Sequence, residues 1–456
     1  MMQTDHKASW DSLGETIVEA MERARVPGVA VGISHAGETF TAGFGVTNVD
    51  HALPVTDDTL FQIGSITKTF VGTCIMRLVE AGQVDLDAAV RTYIPGFRVA
   101  DEGASAQATL RNLSTHTGGW VGDYFDETGP GDEALATYVT RMAELPQLAP
   151  VGSVYSYNNA GFAVAGRIIE LVTGQTFEAA LQELVLGPLG MEWSFIEPID
   201  VMTHRFASGH ETGPEGVAVA RPWALPRSVH APGGIICHVK DLLKYARFHL
   251  GDGTAEDGSR LLSAEGLAAM REPQVTVWGD AAWGLSWGIE PVGDAFCAQH
   301  GGGTVGQVSR LTVVPERDFA VAILTNAGSG NRLIKPVRRQ ALQDWLGLEP
   351  DEPAAIEATE DDLRQYVGRY SRPFDEIELG LLGGRLVGQV TTKGGFPTKD
   401  SPVPPPPPPL ALALCEEDRL LVTVGPFKGA TADVVRKPDG AIGWLRFSGR
   451  IYPRVE

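Results

Sequence analysis

Cysteine is scarce in this chain. Its 456 residues hold four, Cys74, Cys237, Cys297 and Cys415, far apart and with no C-x-x-C spacing. That argues against a thiolate metal centre and gives no reason to expect a disulfide framework, so reduced, mostly buried thiols are the expectation. Positive charge is also short. Lys and Arg number 37 against 57 Asp and Glu, the formal net charge is −20, and no long basic run occurs. Nucleic acid and anionic membrane both need a positive patch, so neither is an expected partner. The N-terminal stretch Met1–Lys7 is polar and leads into an amphipathic segment, and no bilayer-spanning apolar run follows. These features point away from a signal peptide and toward the cytoplasm. No H-E-x-x-H or comparable metal spacing is found, so no metal is expected.

What remains is ordinary globular composition, 43% hydrophobic and 21% charged. The length predicts two or three domains, or one large core with an appendage. Helical periodicity from about Trp10 to Arg25 predicts a first helix, ended by Pro27-Gly28. Val29–Ile33 and Thr39–Phe44 predict a hairpin turning at Ala36-Gly37-Glu38. Helices are predicted from Ser65 to about Glu80 and over 131–144, 160–172, 176–186, 239–250, 264–271 and about 334–346. A second hairpin pairs 308–314 with 319–325. The expected class is α+β: an antiparallel sheet flanked by helices, with an all-helical subdomain.

Composition shifts at Glu349-Pro350-Asp351-Glu352-Pro353, after which short strands alternate with glycine turns. The reading is a first domain at 1–348, a linker at 349–360 and a small β-barrel at 361–456. Pro402–Pro409 is almost pure proline and cannot sit inside a sheet, so a stiff polyproline II surface loop is expected.

Three segments carry chemistry. In Phe61-Gln62-Ile63-Gly64-Ser65-Ile66-Thr67-Lys68, a hydroxyl and an amine stand three residues apart at a helix start, which puts them on one face. Serine needs a neighbour to take its proton, and a desolvated lysine can do so. In Tyr155-Ser156-Tyr157-Asn158-Asn159, Tyr157 offers a phenol that a nearby ammonium would favour as phenolate, fit to shuttle protons. Asn159 is read as a partner for Lys68 and for a substrate carbonyl. In Gln299-His300-Gly301-Gly302-Gly303, glycines on a strand edge let another backbone lie alongside. Each segment alone is weak, because chance supplies it often.

In this order the three resemble the serine β-lactamase and D,D-peptidase superfamily, most closely its class C-like branch of β-lactamases, D-aminopeptidases and family VIII-type carboxylesterases. Spacing agrees: 92 residues separate Ser65 from Tyr157, and 143 separate Tyr157 from His300. Leu110–Gly119, Gly187–Met191 and Ala231–Gly234 resemble the branch as well. The segment Leu363–Tyr370 resembles the start of a lipocalin-like barrel appended to some members. The resemblance implies a β-lactamase/transpeptidase-like fold, with Ser65 acylated and Lys68 and Tyr157 sharing base and acid work. It implies an oxyanion hole from the N–H groups of Ser65 and Gly303, beside Gly302, with Asn159 and His300 orienting substrate.

Two departures stand out. His300 replaces the lysine of many β-lactamases, which lowers the expectation of efficient β-lactam hydrolysis. Asn158 stands where serine is more usual. His116, His210 and His230 do not make a Ser-His-Asp scheme, since no G-x-S-x-G surrounds Ser65; His116 reads as structural. The expected activity is hydrolysis of an ester or amide in a small molecule or short peptide, a D-aminoacyl peptide or β-lactam included. The alternatives are acyl transfer in a biosynthetic pathway and a non-catalytic, penicillin-binding-like ligand binder. Homo-oligomerisation is left open.

Overall fold

The front hairpin is set by its turn. Strands Gly28–His35 and Glu38–Gly45 pair antiparallel with His35 opposite Glu38. Ala36 and Gly37 form the two-residue connection, with φ of 49° and 82°, the left-handed pair that matches strand twist. In the computed structural model residues 6–213 and 215–455 are described; Met1–Asp5, Pro214 and Glu456 lie outside them, and so does most of the N-terminal stretch discussed above.

The chain divides into two compact units. The first comprises residues through Ala88, Thr128–Ala136 and Phe162–Pro350. The second comprises Ala89–Glu127, Thr137–Gly161 and the chain from Asp351 onward.

An eight-stranded sheet organises the first unit. In spatial order its strands are Glu38–Gly45, Gly28–His35, Phe319–Thr325, Val308–Val314, Ala295–Gly303, Gly288–Val292, Ala281–Trp283 and Val275–Trp278. All its paired neighbours run antiparallel. Helices His6–Ala24 and Asn331–Leu346 bury Leu13, Ile17, Leu333, Val337 and Trp345 against Val29, Val31, Val321 and Ile323. Helix Thr67–Glu80 buries eleven of its fourteen residues, so it is enclosed on nearly every side. Its Phe70 stacks on Tyr245 of helix Val239–Leu250 with ring centroids 3.6 Å apart.

The strands between 275 and 292 have no clear alternation in the sequence, because Gly279, Gly284, Gly288 and Pro291 punctuate them. The helix expected over 131–144 is shorter, Ala134–Arg141 followed by a 3-10 turn, and 176–186 is α-helical only to Leu181 before a π-helical turn.

Eight consecutive strands build the barrel of the second unit, from Gly368–Ser371 to Arg450–Pro453, each paired antiparallel with the next. A bridge from Tyr370 to Arg454 draws the first and last strands together, so the sheet is nearly closed. Its interior is filled by Tyr370, Ile377, Leu386, Leu412, Leu420, Val434 and Leu445. Residues 402–409 form no regular ladder. The helices Val90–Tyr93, Glu102–Gln107 and Leu110–Ser114 belong to this unit, the last two capped by Asp101 and Thr109. The barrel meets the rest of its unit through Phe125, whose ring lies 5.4 Å from Phe374 and 5.0 Å from Phe396, and through Trp444 Nε1, which donates to the Leu148 carbonyl at 2.8 Å. All four cysteines are free and buried, and no described helix is long and apolar enough to cross a membrane.

Candidate active site

Ser65 lies in a 3-10 turn, Gly64–Ile66, that feeds helix Thr67–Glu80. The turn leaves Ser65 partly exposed, while Lys68, one helical step on, is fully buried. Lys68 Nζ donates to Ser65 Oγ at 3.0 Å and to the Pro232 carbonyl at 2.6 Å. The same ammonium sits 5.6 Å from the centre of the Phe162 ring. The predicted pairing of hydroxyl and amine is therefore present in the geometry.

Glycine is required where strand Ala295–Gly303 passes this turn. A Cβ on Gly302 would lie 1.8 Å from the Ile63 carbonyl oxygen, and one on Gly64 would lie 2.7 Å from Gly303 N. Gly64 also holds φ at +52°. Ser309 Oγ donates to the Ile63 carbonyl at 2.7 Å and fixes the approach. Close passage of bare backbone thus carries Gly303 to the turn that holds Ser65. Ala295–Gln299 pair with Gly288–Val292, whereas His300–Gly303 pair only with Val308–Leu311 among the described residues. Among the described residues this leaves one edge of the glycine segment without a ladder.

His300 is buried and its Nδ1 donates to the Gly301 carbonyl at 2.6 Å. Burial, with the Lys68 ammonium adding to it, pushes its pKa down to about 3 despite that bond. The imidazole is neutral near pH 7, so it offers no positive charge to a substrate carboxylate.

Tyr157 and Asn159 belong to the second unit, at the start of helix Asn159–Thr173. Tyr157 is almost buried, with the His116 ring 4.3 Å away and the Arg450 guanidinium 4.5 Å from its ring centre. Asn159 Nδ2 donates to Asp123 Oδ1 at 2.7 Å. Asp123 also accepts from Arg372 at 2.6 Å and from Arg450 at 3.2 Å. Burial alone would raise the Asp123 carboxyl, but the Arg450 and Arg372 guanidiniums outweigh it and hold the group well below the usual carboxylate range.

The unusual Asn158 has a structural use. Its side chain donates to the Trp120 carbonyl at 3.0 Å and accepts from Gly161 N–H at 2.7 Å, while its own N–H donates to His116 Nδ1 at 2.9 Å. His116 is thus held in the fold as an acceptor.

Asp123, Arg372, Arg450 and the Pro232 carbonyl were not singled out by sequence reasoning. Only Pro232 lay in a segment with a signal, Ala231–Gly234. One group of side chains able to ligate a metal occurs among the described residues, Glu178, Glu197 and His230, within 4.8 Å. Glu178 is already engaged by Arg227 and His230, so a cation would compete with a guanidinium there.

The sequence profile of the beta-lactamase family matches residues 13–343. Penicillin-binding protein 4 of Amycolatopsis lactamdurans is 35% identical over 364 residues, covering 76% of this chain and 93% of that protein. The crystal structure of SurE superposes with a TM-score of 0.76 at 25% identity, covering 99% of this chain and 100% of that one. SurE with D-Leu gives a TM-score of 0.75 at 26% identity, covering 98% and 100%. The octameric penicillin-binding protein homologue from Pyrococcus abyssi gives 0.67 at 25% identity, covering 97% and 99%.

Proposed function

The chain belongs to the beta-lactamase family of serine hydrolases, and from that premise we propose that it is an acyl-transfer enzyme working through an acyl-enzyme on Ser65. Ser65 Oγ attacks an ester or amide carbonyl, and its proton passes to the Lys68 and Tyr157 pair. The N–H groups of Ser65 and Gly303 receive the charge that develops on the carbonyl oxygen, with Gly302 keeping the two backbones close. Lys68 and Tyr157 return a proton to the leaving group. Water then releases the acid. Asn159 and His300 orient the reacting groups, and no metal or organic cofactor takes part.

The observation that carries this reading is the 3.0 Å contact between the buried Lys68 Nζ and the accessible Ser65 Oγ. An amine held without water beside a hydroxyl is the arrangement that proton transfer needs. The neutral His300 favours ester or amide substrates over β-lactams, whose carboxylate a cation would hold. The structure of SurE with D-Leu supports a D-aminoacyl group in the substrate. In the second reading an amine rather than water takes the acyl group. The octameric P. abyssi homologue supports a homo-oligomer. The chemistry is assigned to residues 1–348, followed by the linker 349–360 and the barrel domain 361–456, and the protein to the cytoplasm.

The test is a fluorophosphonate probe followed by mass spectrometry, with p-nitrophenyl esters, D-aminoacyl anilides and nitrocefin as substrates. Labelling at Ser65 and loss of activity in Ser65→Ala are expected. No label at Ser65, with Ser65→Ala as active as wild type on every substrate, would overturn the mechanism. Adding a D-amino acid amide as nucleophile separates transfer from hydrolysis by the product formed.

A further inference from the structure

We propose that Arg450, at the tip of the barrel's last hairpin, is a positioning residue for Tyr157 and, through Asp123, for Asn159. This rests on the reading of Tyr157 as a proton-transfer group. It makes the barrel a working part of the enzyme rather than an appendage.

The hairpin joins strands Ile442–Phe447 and Arg450–Pro453 through Ser448 and Gly449, with φ of 49° and 76°. Its tip is bonded to the tyrosine segment by backbone. Tyr157 N–H donates to the Gly449 carbonyl at 2.7 Å, and Ile451 N–H donates to Ser156 Oγ at 3.2 Å. Arg450 then reaches over the Tyr157 ring, 4.5 Å from its centre. Its own orientation is fixed: Nη1 donates to the Ser448 carbonyl at 2.8 Å, and Nε and Nη2 donate to Asp123 at 3.2 and 3.4 Å.

Asp123 is the shared point. It accepts from Arg450, from Arg372 and from Asn159, so one carboxylate sets a guanidinium over the tyrosine and an amide two residues further on. Arg372 is held in turn by Asp375, which also accepts from Tyr452 at 2.9 Å. Two guanidiniums are thus matched by two carboxylates, and the group is close to neutral. Its effect on Tyr157 is therefore chiefly one of geometry. The guanidinium over the ring holds the face of Tyr157 in one orientation.

Docking alone would not need this arrangement. Phe125 against Phe374 and Phe396, and Trp444 against Leu148, already bind the barrel to the rest of its unit. Buried ion pairs are poor sources of stability relative to apolar packing, but they fix direction well. A planar guanidinium held from both sides and laid over a tyrosine is a device for orientation.

The experiment uses the full chain and p-nitrophenyl butyrate, with Arg450→Ala, Arg450→Lys, Tyr157→Phe and the double variant Arg450→Ala/Tyr157→Phe. Arg450→Ala should lower kcat by about 10- to 100-fold with KM changed less than about 3-fold, and Arg450→Lys should recover part of the loss. In the Tyr157→Phe background Arg450→Ala should cost less than about 2-fold, because the group it positions is gone. If Arg450→Ala does not fold, Arg450→Met keeps the aliphatic stem and carries the same expectation. An unchanged kcat for Arg450→Ala, or an equal loss in both backgrounds, overturns the inference while leaving the role of Tyr157 intact. Wild-type activity in Tyr157→Phe overturns both.

Discussion

His230 donates from Nδ1 to Glu178 at 2.8 Å, and two residues later the Pro232 carbonyl holds the Lys68 ammonium at 2.6 Å. Glu178 therefore acts on Lys68 from a distance, by fixing the segment that supplies its acceptor. Arg227 adds two bonds to the same carboxylate, from Nε at 3.2 Å and from Nη2 at 3.1 Å.

Glu178→Gln should weaken both the fold and the reaction. Burial would raise the Glu178 carboxyl, but hydrogen bonds from His230 and Arg227 outweigh it and hold the pKa at about 2, against 4.5 unperturbed. A depressed carboxylate stabilises the fold fully above the unfolded value near 4.5, and that stability is lost as pH falls toward 2. After screening, its contribution at pH 7 is on the order of 2 kcal/mol. The wild-type advantage in thermal midpoint over Glu178→Gln should be present at pH 7 and shrink steadily below pH 4.5. A difference independent of pH would sink this account.

Gly302→Ala and Gly303→Ala should part company. The first places a methyl 1.8 Å from the Ile63 carbonyl oxygen, backbone that cannot swing away, whereas nothing lies within 4 Å of the second. Gly302→Ala should lose more than about 3 kcal/mol or fail to fold, and Gly303→Ala should stay within about 1 kcal/mol of wild type by urea unfolding. Similar stability for the two would contradict the close passage of strand and turn.

Local elements were legible because their signals are local. The hairpins at 29–44 and 308–325, helix Val239–Leu250 and the Ser65–Lys68 pair follow from alternation, turn residues and spacing alone. The electrostatic centre at Asp123 was not legible. Its partners Arg372 and Arg450 lie 249 and 327 residues away, and no spacing rule spans such a gap. The same holds for the Pro232 carbonyl, a backbone atom with no residue-type signature. Neutral His300 could not be read either, since its state depends on burial beside Lys68 rather than on its neighbours in sequence.

His249→Phe should stabilise the protein. His249 is fully buried among Tyr245, Phe248 and Trp287, and neither ring nitrogen has a hydrogen-bond partner among the described residues. Burial, with Arg271 adding to it, pushes this imidazole well below its usual value. A histidine kept neutral in the fold carries no protonation penalty above its unfolded pKa near 6.5, and opposes folding increasingly as pH falls below it. Replacing it with a ring of similar size removes two unsatisfied polar atoms, worth about 1 kcal/mol at pH 7 and more at pH 5. Calorimetry at the two pH values should show the gain growing with acidity; a loss at both would mean that the nitrogens are satisfied.

Asp123 gives the sharpest contrast between removing a charge and reshaping it. Asp123→Ala leaves Arg450 without its carboxylate and leaves Arg372 only Asp375, so about 3–5 kcal/mol of stability should be lost. Asp123→Asn keeps an oxygen that can accept from one guanidinium, and should lose less. The carboxyl is depressed in the fold, so its contribution is complete above the unfolded value near 3.8 and declines as pH falls further. Urea unfolding at pH 7 and pH 3 should therefore show wild type converging on Asp123→Asn in acid. Asp123→Ala within 0.5 kcal/mol of wild type at pH 7 would mean that the two arginines are held by their remaining partners, and that the carboxylate does not organise them.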